Sequence, residues 1–132
     1  MITKVFRILW VLWAGSLWSL ALWVTPTLFY VQSDRHLAGI LAGRMFTVET
    51  YVGLAVAVLA LLLPGRTRFV WGYFAAAILA LNEWALRPVM AAARAHGAAA
   101  GLSFGAWHGV SAVLYVAACV AVLGLVWNEN FR

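Results

Sequence analysis

Four long apolar blocks dominate this chain: Ile8–Val31, Phe46–Leu63, Phe69–Leu86 and Phe104–Trp127. A helix needs roughly 20 residues to cross a hydrocarbon core, and each block has that order of length. None shows the period-2 alternation of a barrel strand. Only 10% of the 132 residues are charged and 66% are apolar, whereas soluble domains carry roughly 25% charged residues. So few polar groups cannot cover a core of this size in water. The expected class is therefore all-α. We read one polytopic membrane domain with four transmembrane helices, over about 8–31, 36–64, 68–95 and 104–127, in an antiparallel bundle. The second and third helices are expected to extend on the outer side.

The first block resembles a signal peptide only superficially. It is longer than the roughly 7–15 residues of a signal core and shows no small-x-small cleavage site. We expect a retained helix. Pro26, flanked by Thr25 and Thr27, predicts a kink in it, with the freed backbone groups satisfied by hydroxyls or neighbours. Pro64-Gly65 and Arg66-Thr67-Arg68 leave a very short turn between the second and third blocks, which makes those helices neighbours. Gln32–Met45 has helical spacing and the small residues Gly39 and Gly43, a pattern suited to close helix packing within the chain or with a second protomer. The lone cysteine, Cys119, excludes an intrachain disulfide and reads as packing.

The formal charge is +5. The basic residues sit at the ends of apolar blocks and form no basic face, so lipid headgroups, not nucleic acid, are the expected anionic partner. Lys4, Arg7, Arg66, Arg68 and Arg132 fall on one side, and Arg35 and Arg94 with the helix-end Arg44 and Arg87 on the other. The positive-inside rule then favours both termini in the cytoplasm. Trp10, Trp71 and Trp127 would form an inner aromatic belt, and Tyr30, Trp84 and Trp107 an outer one.

Two acidic residues, Glu49 and Glu83, lie inside the apolar blocks. An ionisable side chain at membrane depth costs a few kcal/mol or more unless it is paired or hydrated. Counting helix rise from Arg44 and Arg87 puts Glu49, Glu83 and His108 roughly 6–8 Å below the outer surface, with Asn82, Thr47 and Thr50 near the same level. Several readings follow. In a structural ion-pair network, Glu83 pairs with Arg87 at i, i+4 and Arg87 also reaches Glu49. Alternatively the carboxylates serve a proton or cation path. Glu49, Glu83 and His108 could also bind a divalent metal such as zinc, although no ligand pair has motif spacing. Haem through His108 is a further reading. His108, Ser111, Tyr115 and Cys119 share one face of the fourth helix, where polar groups usually bond across a bundle. No catalytic motif, HExxH or phosphate-binding loop is present, so no enzyme activity and no cofactor are predicted.

Four segments carry a family resemblance: WAGSLWSLALWVTPTLFY, DRHLAGILAGRMFTVETYVG, LNEWALRPVM and FGAWHGVSAVLYVA. Within them stand Trp13-Ala14-Gly15, Pro26 with Leu28-Phe29, Ala38-Gly39, Ala42-Gly43-Arg44, Phe46, Asn82, Arg87-Pro88 and His108. Together they resemble the bacterial membrane proteins similar to transmembrane protein 205, a family of unknown function. The resemblance implies four membrane helices in a bacterial inner membrane. Eukaryotic relatives have been linked to resistance to drugs and metal complexes, which adds weight to transport or metal handling. The resemblance assigns no catalytic residue. The leading functional expectation is a structural or accessory membrane subunit whose partners are the bilayer and a second copy or another membrane protein. A dimeric transporter for a cation or small molecule and a metal- or haem-binding protein are the alternatives.

Overall fold

A computed structural model describes residues 1–130. Among them are four helices long and apolar enough to cross a membrane: α1 (Ile2–Val31), α2 (Arg35–Leu61), α3 (Arg66–His96) and α4 (Phe104–Asn130). α1 begins six residues before the first apolar block, because Lys4 and Arg7 do not end it. Long basic side chains at a helix end can carry their charge to the interface while the backbone stays helical. Asp34 starts α2 as an N-cap: its carboxylate accepts from the backbone N–H groups of His36 at 2.9 Å and Leu37 at 3.2 Å.

α1 and α3 each contain one π-helical turn, at Leu20–Val24 and Asn82–Leu86. Both turns end just before an X-Pro step, Thr25-Pro26 and Arg87-Pro88. Proline lacks an N–H and its ring crowds the carbonyl four residues back. A wider turn moves that carbonyl away, so the helix continues where it would otherwise break. The bend expected at Pro26 thus takes the form of a widened turn within one continuous helix.

The segment after α3 is a two-stranded hairpin: β1 (Ala98–Ala99) pairs with β2 (Leu102–Ser103). Ala100 and Gly101 form its loop, both with positive φ (48° and 80°). This left-handed conformation is typical of two-residue hairpins and favours glycine. The hairpin is fastened to α4, whose Trp107 Nε1 donates to the Ala99 carbonyl at 2.8 Å.

The core is made by large rings lying on small residues. Trp13 of α1 covers Gly53 of α2, and Trp10 of α1 covers Gly72 of α3. Trp71 of α3 lies against Gly124 of α4. Lipid tails are as apolar as leucine, so helices in a membrane associate through close packing and polar links, and small residues allow that closeness. Trp10 is therefore a core residue, 1% exposed and in edge contact with Trp13 and Tyr73. Of the tryptophans expected together in an inner belt, Trp10 is thus turned into the bundle, whereas Trp71 and Trp127 are exposed. The outward faces carry apolar residues such as Trp23, Val48, Val58 and Val113, which suits contact with lipid chains.

Neighbouring helices meet in inverse sequence order. Trp13 meets Gly53 while Ser16 meets Glu49. Gly43 meets Arg87 while Thr47 meets Glu83. Trp71 meets Gly124 while Asn82 meets Ser111.

Candidate functional site

Every pair of sequence-adjacent helices is joined by a polar link, and a further pair of links joins α1 to α4. Between α1 and α2, the Ser16 hydroxyl lies 2.9 Å from Glu49 Oε2 and 2.8 Å from the Trp13 carbonyl, which share its single proton. Trp13 Nε1 donates to the Glu49 carbonyl at 3.0 Å. Between α2 and α3, Arg87 Nη1 donates to Glu83 Oε1 at 2.6 Å and to the Thr47 hydroxyl. That hydroxyl lies 3.0 Å from both Glu83 Oε1 and the Gly43 carbonyl. Between α3 and α4, Ser111 donates to Asn82 Oδ1 at 2.7 Å, and Asn82 Nδ2 donates to the Ser111 carbonyl at 3.2 Å. Tyr115 closes the ring from α4, its hydroxyl donating to the Leu17 carbonyl at 2.7 Å. Trp18 Nε1 adds a bond from α1 to the Cys119 carbonyl at 3.0 Å.

The polar residues singled out in the sequence thus separate into distinct groups. Glu83 and Arg87 form the i, i+4 pair, and Thr47 ties it to α2. Arg87 does not take Glu49 as a second partner. It is engaged with Glu83 and Thr47, while Glu49 bonds Ser16 on the far side of α2. Asn82 serves α4 alone. His108 stands apart. It is exposed, and its ring stacks on Phe104 at 5.9 Å, with the Arg94 guanidinium 4.3 Å from the Phe104 centroid. His108 shares its helix face with Ser111 and Tyr115 but lies one turn nearer the helix start, where its neighbour is Phe104 of the same face. Among the described residues no group of three His, Cys, Asp or Glu side chains is placed to hold a metal ion.

The small-residue face is also divided. Ala38 and Ala42 are buried, whereas Gly39 is exposed and a Cβ on it would meet nothing within 4 Å. Gly39 therefore does not pack against another of the described residues. Gly43 does have a contact: a Cβ there would lie 3.5 Å from Arg87 Nη2. The guanidinium crosses α2 over this glycine. Gly43→Ala should be tolerated, since that distance is ordinary contact and alanine favours the helix by roughly 0.5–1 kcal/mol. Gly43→Leu should displace Arg87 and lower stability by about 2 kcal/mol. Thermal unfolding of the two variants in the same detergent checks the ordering.

Glu49 differs from Glu83 in having no basic partner among the described residues; its hydrogen-bond partner is Ser16. It lines a groove of about 310 Å³ that opens sideways between α1 and α2, with Leu20, Met45, Val48 and the exposed Arg44. Nothing in the spacing of Ser16 singled it out beforehand. Its role follows from facing Glu49 in the inverse register of α1 and α2.

No curated protein and no solved structure matches the chain significantly. The family model described as "Domain of unknown function (DUF4149)" matches residues 8–99, which takes in most of α1, all of α2 and α3, and β1. With well over half of its length matched, this multi-pass, four-helix chain belongs to the DUF4149 family.

Proposed function

We propose that the protein is a structural or accessory subunit of a membrane assembly, an up-down-up-down antiparallel bundle in a bacterial inner membrane with both termini in the cytoplasm. One observation carries this reading: most of the hydrogen-bonding side chains within the spans are spent in links between helices, the buried polar atoms of Trp10, Thr25 and Tyr73 being without a hydrogen-bond partner among the described residues. Glu83, Arg87, Thr47, Asn82, Ser111 and Tyr115 each have a protein partner on another helix or within the clasp formed by Glu83, Arg87 and Thr47. Side chains engaged in this way hold a bundle together and leave few groups to handle a substrate. The many exposed apolar residues and the open Gly39 leave surface for lipid, for a second copy or for another membrane protein.

A second reading, a dimeric carrier of a cation or small molecule, draws on Glu49, the carboxylate outside the clasp. Four helices are thin walls for a carrier, and a dimer would supply the rest. Flux into proteoliposomes separates the two. The accessory reading expects protein-containing vesicles to match empty ones across proton, alkali-cation and divalent-cation gradients. A flux that Glu49→Gln abolishes would overturn it in favour of the carrier.

A further inference from the structure

We propose that Glu49 is a proton-binding site: its carboxyl holds a proton, donates it to Ser16 and lies open to apolar carboxyl reagents from the lipid side. The proposal goes beyond the accessory-subunit reading and does not depend on it. It rests first on a count of hydrogens. The Ser16 hydroxyl lies 2.8 Å from the Trp13 carbonyl oxygen and 2.9 Å from Glu49 Oε2. Each of these oxygen pairs is at hydrogen-bond distance and needs a hydrogen between its members. Ser16 has one to give. A serine within a helix can direct it back to a carbonyl of the preceding turn, here that of Trp13. The second hydrogen then comes from Glu49, and the protonated carboxyl is the form of that side chain that donates. An ionised Glu49 would leave one of the two contacts as lone pairs facing each other.

The surroundings favour the same form. Glu49 and Ser16 stand near the middles of α2 and α1, away from the connections at either end. A carboxylate at such a depth is costly unless it is paired or hydrated. Arg44 also lines the groove but makes no ion pair with Glu49 among the described residues. From α4, Tyr115 and Cys119 lie within electrostatic reach; a phenol and a thiol bring no positive charge. From α3, the Glu83–Arg87 pair engages α2 through Thr47. That clasp is the opposite case. Arg87 Nη1 donates both to Glu83 Oε1 and to the Thr47 hydroxyl, so a guanidinium supplies the hydrogens those oxygens need. At Glu49 the remaining groove wall is Leu20, Met45 and Val48, through which an apolar reagent can reach the carboxyl.

The probe is dicyclohexylcarbodiimide, applied at neutral pH to the purified full chain in lipid nanodiscs. The carboxyl O–H bond breaks, its proton passes to one carbodiimide nitrogen and its oxygen bonds the central carbon. The acyl group then shifts from that oxygen to nitrogen, leaving a stable N-acylurea that keeps every atom of both partners. Peptide mass spectrometry should find the adduct on Glu49 and not on Glu83. An unlabelled Glu49, or equal labelling of Glu83, would overturn the proposal. Infrared spectroscopy reads the proton without a reagent. The stretching band of a protonated carboxyl should be lost in Glu49→Gln, whose amide keeps a donor for Ser16, and a band of undiminished strength would count against the proposal. Ser16→Ala should shift that band, and an unmoved band would remove Ser16 as the proton's acceptor. Because the labelling compares two residues of one unaltered chain, it decides the matter even if a variant fails to fold. It is also independent of flux: a chain that moves no ion and still labels at Glu49 satisfies both this proposal and the accessory reading.

Discussion

Gly53→Ala is expected to destabilise the bundle by about 3 kcal/mol, the upper end of the usual range for overpacking a filled interior. A Cβ at this position would lie 2.1 Å from Trp13 Cζ2, 2.6 Å from Cε2 and 2.9 Å from Cη2. These atoms belong to a rigid ring, so no flexible tip can swing aside. The ring is also pinned at two points. It is 2% exposed, and its Nε1 donates to the Glu49 carbonyl at 3.0 Å. Moving it far enough to admit a methyl group would break that bond and shift the edge contact with Trp10, whose centroid is 5.5 Å away. Gly39→Ala on the same helix is the matched control. Its Cβ meets nothing within 4 Å, so the loss of glycine should be neutral or stabilising by up to about 1 kcal/mol. Unfolding of both variants in one detergent checks the contrast. Trp13→Leu combined with Gly53→Ala should cost less than the sum of the two single changes, because the first removes the ring that the new methyl would meet and the methyl fills part of the space the ring leaves. If Gly53→Ala melts with the unaltered protein, the close approach of α1 and α2 is not the one described here.

Much of the architecture was legible in the sequence because membrane burial depends on length and composition. Four apolar blocks became four helices, and Pro64-Gly65 became the turn between α2 and α3. The Glu83–Arg87 pair was also legible, since both partners stand on one helix at a spacing that brings them together. The limits were links between helices. Whether Glu49 meets Arg87 or Ser16 depends on which side of α2 it faces, and rotation about a helix axis is poorly encoded when all sides are apolar. The same ambiguity placed Trp10 in a belt when it lies in the core, and drew His108 toward carboxylates that it does not meet. Gly53 and Gly72 carried no special mark either. They matter because Trp13 and Trp10 lie on them, and that pairing exists only once the helices are in register.

Arg87→Leu is expected to lower stability by about 3 kcal/mol, at the lower end of what is seen when one partner of a buried pair is removed. The reduction reflects exposure: the Arg87 side chain is 42% exposed and partly hydrated, while Glu83 is 13% exposed. The damage comes from what remains. The largely buried Glu83 carboxyl would be left with only the Thr47 hydroxyl beside it, at 3.0 and 3.2 Å. The double variant Glu83→Leu/Arg87→Leu should recover most of the loss, because replacing a whole pair by apolar residues is often neutral or better. Thr47 does not obstruct this recovery. Its hydroxyl lies 3.0 Å from the Gly43 carbonyl and keeps that acceptor when both charges are gone. A double-mutant cycle in detergent measures the coupling. A strong coupling with a stable, correctly assembled double variant identifies the clasp as a fastening between α2 and α3. A double variant that unfolds as readily as Arg87→Leu would mean instead that the charges themselves are needed, and the clasp would then have to be counted with Glu49 among the groups available for binding.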